Sequence, residues 1–301
     1  MRWPKRRAAF LIMLTITINA ASLLTLADRC GLADNCNMRT AALLCTFLTT
    51  SFYATGGTRP LPATLEAFDR YVELTEAELK NSAESKIFLS GDRETQGRAR
   101  AGEMVVKERG RTDQDPKFDP PNGIIQDWKG LMFVPGISLD RFRRFLQDYG
   151  NYKNLYQPAV LESRLKSRDG DQFEVFLRLY KKALLTVVLN VDYRIQYSFP
   201  QPHRMLVVSR STRIAEVKKA DRPDTAEYPV GNDTGLLWRL NTYWQAEEAD
   251  GGVYAQCEAV SLSRDAPLGL GLILKGFLAQ FPRGSMTDTL RQTREGLLAK
   301  P

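Results

Sequence analysis

Hydrophobic positions change their period several times along the chain. Between Leu61 and Ser85, Leu65, Phe68, Val72 and Leu79 recur at helical spacing among scattered Glu and Lys, which predicts an amphipathic helix. Ile87–Leu89 and Glu103–Lys107 predict two short strands around a polar turn. The stretch from Gly110 to Gly123, rich in Pro, Asp and Gly, predicts a linker or surface loop. Ile124–Ile137 then reads as a strand ending at Pro135-Gly136. Ser138 is placed to cap a helix over Leu139–Tyr149 whose buried side carries Phe142, Phe145 and Leu146. Gly150 breaks that helix, and Asn151–Tyr156 reads as a helical turn. Six strands follow: Ala159–Ser167, Gln172–Tyr180, Leu184–Phe199, His203–Val217, Leu236–Glu247 and Val253–Ser263. Arg168-Asp-Gly-Asp171 and Asp250-Gly-Gly252 are the clearest hairpin turns between them. The chain closes with a helical stretch, Leu268–Phe281, a break at Pro282-Arg-Gly284, and a last helix. Ser285-x-x-Asp288 has the spacing of its cap, and Met286, Leu290, Thr293 and Leu297 follow at helical intervals.

The first 57 residues follow another logic. A basic start, Met1 to Arg7, precedes the uncharged stretch Ala8–Ala27, long enough to cross a bilayer. A second start, Met38-Arg39, precedes the apolar run Ala41–Tyr53, which ends in the small residues Ala54-Thr-Gly-Gly57. That is the layout of a cleavable signal peptide. Three readings stay open: translation from Met38 with an ordinary signal peptide, one long signal or anchor, or a short membrane hairpin. Each puts residues 58–301 outside the cytoplasm or at its membrane face. The chain is therefore expected to be periplasmic, secreted or anchored in the cytoplasmic membrane, contacting the membrane through its N-terminal segment. Cleavage is expected within Thr55–Arg59. The expected organisation is 1–57 as signal peptide or membrane anchor, 58–122 as a helix plus short hairpin extension and linker, and 123–301 as the main domain. Residues 124–299 are expected to fold without the leader.

Charge and cysteine narrow the function classes. The net charge is +7, yet residues 1–57 hold six basic side chains against two acidic ones, and the rest mixes both signs. A nucleic-acid partner is not expected. Cys30, Cys36 and Cys45 fall in the leader, and Cys257 lies alone in a strand pattern, where a small buried apolar side chain is expected. No CxxC pair exists, and G-x-S-x-G, H-E-x-x-H and G-x-x-x-x-G-K are absent. His203, the one histidine, lies in the turn Pro200-Gln-Pro-His203, where solvent exposure is expected. Gly269-Leu-Gly271 lacks the third glycine of a dinucleotide loop. No catalytic residue, metal ligand or cofactor is assigned.

One strand, two helices, six strands and a closing helix resemble the START-like superfamily, also called SRPBCC, with its helix-grip plan. The resemblance rests on Leu139-Asp-Arg-Phe-Arg-Arg-Phe-Leu-Gln-Asp-Tyr-Gly-Asn-Tyr152, Tyr156-Gln-Pro-Ala-Val160 and Glu162-Ser-Arg, and covers about residues 124–299. Gly252 to Asp265 is also similar to the last strand of uncharacterised exported bacterial members. The resemblance implies an α+β fold, a curved antiparallel sheet of about seven strands around a long C-terminal helix, with a cavity between them.

Two constellations bear on that cavity, the first readable as plain core, cavity lining or membrane contact, the second as solvent-facing or cavity-facing. One is apolar, Leu268, Leu270, Leu272, Ile273, Leu274, Phe277, Leu278 and Phe281, hydrophobic nearly all round. The other is polar: Arg178, Arg194, Arg213, Arg239, Asn241 and Glu258 all fall in strands, where an inward arginine needs a carboxylate or a ligand anion. Arg239 and Glu258 lie offset across the Asp250-Gly-Gly252 turn. The candidate ligand-binding residues are Trp238, Tyr243, Trp244, Tyr254, Leu272, Phe277, Arg239 and Glu258. The expected partner is a hydrophobic or amphipathic small molecule of the lipid or isoprenoid class. An enzyme of cyclase or hydrolase type using cavity Tyr, Arg and Glu, and an envelope module with a collapsed cavity, are the alternatives.

Overall fold

Helix α1 (Pro62–Glu84) begins with a proline in its first turn, where no helical N–H bond is lost. Thr64, Phe68, Tyr71, Thr75 and Leu79 are buried at three- and four-residue intervals, so one stripe of the expected helix faces the body. The computed structural model describes residues 59–85, 88–89, 92–109, 118–182, 186–218, 226–265 and 271–299, with the backbone alone over residues 271–281. The expected leader and Leu268 and Leu270 lie outside the described residues.

Among the described residues the expected hairpin over 87–107 is not formed; Ile87 lies outside them. Phe88 and Leu89 are buried outside any strand, and the polar stretch between them and the strand is a helix, α2 (Arg93–Arg100). Asp92 Oδ1 caps α2 by accepting from the Thr95 amide at 2.8 Å, Glu94 lies in its first turn, and Arg98 and Arg100 in its last. Those charges complement the helix dipole, a stronger local signal than two short apolar runs. Only β1 (Val105–Glu108) is a strand, and it pairs antiparallel with β2 (Gly123–Pro135). The extension therefore adds an eighth strand to the sheet.

After β2, Ser138 Oγ accepts from the Arg141 amide at 3.2 Å and caps α3 (Leu139–Gln147), as its sequence predicts. A 3-10 turn (Tyr149–Asn151) and α4 (Tyr152–Leu155) lead to β3 (Val160–Asp169), β4 (Gln172–Lys182), β5 (Thr186–Gln201), β6 (Arg204–Glu216), β7 (Arg239–Ala249) and β8 (Gly252–Arg264). The curved sheet runs β1-β2-β8-β7-β6-β5-β4-β3, antiparallel throughout. Asp250 and Gly251, with φ of 53° and 74°, make the left-handed pair that turns β7 into β8.

Helix α5 (Gly271–Leu298) runs through Pro282 without the expected break, and Ser285 lies inside it rather than capping a separate helix. Proline forfeits one main-chain bond, while Met286, Leu290, Thr293 and Leu297 are buried along the same helix. Close packing of that half on β2 depends on Gly130: a Cβ there would stand 2.5 Å from Leu290 Cδ1.

Strand alternation now assigns two faces. The inner face, under α5, carries Met132 and Val134 of β2, Ala255 and Cys257 of β8, Trp244 of β7, Val207 of β6, Tyr193 and Tyr197 of β5, and Val175 of β4. The outer face is covered as well. Phe68, Tyr71 and Leu79 of α1 pack on Ile125, Leu206, Tyr243, Val260 and Leu262, while Ala99 of α2 joins Leu131, Phe133 and Tyr254. Residues 57–301 thus form one compact unit in which β2, β7 and β8 are buried on both sides.

Candidate functional site

The eight candidate residues divide between the two faces. Trp244 is on the inner face, edge-on to Phe142 with ring centroids 5.8 Å apart. Tyr243, Tyr254, Glu258 and Trp238 belong to the outer face, under α1 and α2. Arg239 lies opposite Leu262 and shares that face; its Nη1 donates to the Trp238 carbonyl at 3.0 Å. Glu258 stands opposite Tyr243, so the expected offset from Arg239 is present and the two do not pair. Leu272 and Phe277 lie on the α5 backbone, and their side chains are outside the described residues. The eight do not form one site. Alternation separates Tyr243 from Trp244 in any sequence reading, but it cannot say that a helix from the extension buries the second face. The strand arginines also turn outward: Arg178 Nε donates to Asn190 Oδ1 at 2.9 Å, Arg213 pairs with Glu227, and Arg194 stands 3.6 Å from Glu174.

Sequence reasoning missed the charged network on the outer face. Glu258 is 1% exposed and holds Arg109 Nη1 and Lys129 Nζ, each at 3.0 Å. Arg109, just after β1, also pairs with Glu78 of α1. Beside Glu258 lies Asp127, 3% exposed, whose Oδ2 accepts from the Tyr71 hydroxyl at 2.7 Å while Oδ1 finds no donor. Burial and the neighbouring Glu258 charge push the Asp127 carboxyl up to about 8. A proton on Asp127 gives the orphaned oxygen a hydrogen bond to Glu258. It also balances the cluster, because two cations then face two carboxylates. Alternation in β2 and β8 signalled a shared face, but the partners Arg109 and Glu78 come from segments whose packing no periodicity reveals. A packed helix seals this network, which therefore ties α1 and β1 to the sheet.

The inner face is a largely apolar wall. One end of it is aromatic: Tyr149 and Tyr197 share a hydroxyl hydrogen bond at 2.7 Å, with the Phe173 ring centroid 5.3 Å from that of Tyr197, and Tyr156 bonds Thr293 at 2.9 Å. Burial pushes these phenols up and keeps them neutral. Leu177, Leu179, Leu240 and Ala259 pack at the margin of this core and stay part-exposed. Burial likewise pushes the Cys257 thiol up, consistent with an inert apolar side chain. His203 is half-exposed, as its turn predicts. Among the described residues no group of His, Cys, Asp and Glu is arranged to hold a metal, and no helix is long and apolar enough to cross a membrane.

No family model and no curated protein matches the sequence. Among solved structures, similar ones include a STAR-related lipid transfer protein fragment from Xanthomonas axonopodis (13% identity, 64% of this chain and 98% of that one, TM-score 0.41). The Zhui aromatase/cyclase from Streptomyces sp. R1128 is 10% identical over 58% of this chain and 94% of its own, with a TM-score of 0.41. Human STARD10 is 10% identical over 71% and 82%, with a TM-score of 0.40. On its own strand order and closing helix, the chain has the expected helix-grip α+β arrangement.

Proposed function

We propose that the unit over residues 57–301 holds a hydrophobic or amphipathic small molecule, of the lipid or isoprenoid class, against the inner face of its sheet. The observation that carries this reading is the uneven cover of that face. The half of α5 from Met286 to Leu297 seals the β2 side, while Leu177 and Leu179 of β4 and Leu240 of β7 stay part-exposed. An apolar ligand burying that wall gains roughly 25 cal/mol per Å². We also propose that the unit works outside the cytoplasm, reached through the N-terminal segment.

Two measurements test this. Full-length protein purified from an exporting host is extracted and analysed by mass spectrometry for bound lipids, and titrated with acyl and isoprenoid probes. Co-purified apolar compounds or saturable binding are expected. Protein that carries nothing and binds no probe overturns the reading in favour of a filled structural module. N-terminal sequencing of the same sample should begin within Thr55–Arg59; retention of Trp3 refutes cleavage.

A further inference from the structure

The inner face carries one polar strip, and its chemistry narrows the ligand. Tyr193 on β5 stands opposite Ser211 on β6. Two residues along β6, Ser209 lies opposite Thr242 on β7, and Thr242 lies opposite Ala259, whose other neighbour is Trp128 on β2. These groups cross the middle of a wall otherwise made of Val175, Val191, Val207 and Trp244. Tyr193 and Ser209 are each 7% exposed, and strand register places both on this face. Trp128 Nε1 is buried and lacks an acceptor. Ser211 Oγ accepts from the Leu240 amide at 3.0 Å, which leaves its proton free to donate. Buried polar groups without partners cost free energy, about 1–3 kcal/mol each. One such donor, Trp128 Nε1, in a strip of neutral hydroxyls on the inner face points to bonds that a ligand supplies.

Charge decides which ligand. By strand register, the inward positions of the eight strands carry charge only near strand ends: Glu108, Arg168, Lys181, Glu216 and Glu248. Of these, Lys181 donates to Ser285 Oγ at 3.2 Å, Glu216 accepts from the Thr234 amide and hydroxyl, and Glu248 accepts from the Leu139 amide. Among the described residues the strip therefore offers a carboxylate or phosphate no cation, and burying an unpaired anion there costs several kcal/mol. Neutral hydroxyls both donate and accept, which suits an alcohol or a carbonyl.

We propose that this strip is the recognition element for an uncharged amphiphile, an alcohol or ketone on an apolar body, with Tyr193 as its principal hydrogen-bonding contact. The inference rests on the inner-face binding proposed above. Matched isoprenoids test it: farnesol, farnesene and farnesoate compete for the full-length protein against the uncharged fluorophore N-phenyl-1-naphthylamine. Farnesol should bind at least about tenfold tighter than the other two, which corresponds to about 1.4 kcal/mol. Tyr193→Phe should bring farnesol to the level of farnesene while fluorophore binding stays unchanged. Ser209→Ala serves as a second, smaller truncation and should weaken farnesol by a few-fold. Equal or tighter binding of farnesoate, or farnesol affinity unmoved in both variants, overturns the inference and leaves the binding site intact. Failure of the fluorophore and of all three isoprenoids to bind overturns the inner-face reading itself and this inference with it.

Discussion

Replacing Asp127 by Asn should stabilise the protein at pH 8 and leave it nearly unchanged near pH 4. In the folded chain the Asp127 carboxyl ionises only near pH 8, because it is buried beside Glu258. In the unfolded chain it ionises near pH 4. The folded-state value is the higher one, so its contribution is complete below about pH 4 and is lost as pH rises through about 8. Between those limits the unfolded chain holds fewer protons, and stability falls with pH at no more than about 1.4 kcal/mol per pH unit for one proton. Relaxation around the charged cluster reduces this, and about half the ceiling gives roughly 3 kcal/mol across the window. Asn keeps the geometry: its oxygen accepts from Tyr71, as Asp127 Oδ2 does at 2.7 Å, and its amide donates to Glu258. Urea unfolding followed by tryptophan fluorescence, at steps from pH 4.5 to 8.5, yields the difference between variant and parent. Subtraction removes the other carboxylates, several of which have lowered values and slope the opposite way. A difference that does not change with pH refutes the protonated-carboxyl account. A variant destabilised throughout would show that Asp127 works as an anion.

A fragment of residues 124–301 should lose cooperative unfolding and bind hydrophobic dyes, because removing α1 and β1 uncovers Tyr243, Val260 and Leu262; a sharp thermal transition would restore the expectation that this segment folds alone. Gly252→Ala should cost several kcal/mol in thermal unfolding, since a Cβ there meets the Val134 carbonyl oxygen at 2.4 Å and cannot be relieved by a side-chain shift. Gly97→Ala, in α2 with nothing within 4 Å of the new atom, should instead stabilise by about 0.5–1 kcal/mol. Tyr149→Phe should cost about 1–3 kcal/mol by orphaning the Tyr197 hydroxyl, and the double change with Tyr197→Phe should cost less than the two single losses combined. Additive losses would mean that the hydroxyls do not depend on each other.

By itself, the sequence determined the parts whose signals are local. Ser138 announced its helix, Asp250-Gly-Gly252 announced its hairpin, and period-two runs placed all six strands after residue 158 within a few residues. Register followed too, because the tight turn at Asp250-Gly251 sets Tyr243 opposite Glu258 and holds Arg239 away from it. Tertiary structure decided whatever depends on which surface meets which. Alternation splits Tyr243 from Trp244 but has no means to label a side, and both sides of β7 are apolar because α1 covers one and the core under α5 the other. Pro282 reads locally as a stop, yet helical burial of Met286, Leu290 and Leu297 carries α5 past it. Arg109 and Glu78 look like ordinary surface charges until β1 joins the sheet edge and brings them to Glu258. The hydroxyls of Tyr193, Ser209 and Thr242 stand far apart in the chain, and only the pairing of β5, β6 and β7 gathers them on one wall. Periodicity is a property of one segment, whereas a binding face is a property of several, and folding alone brings those together.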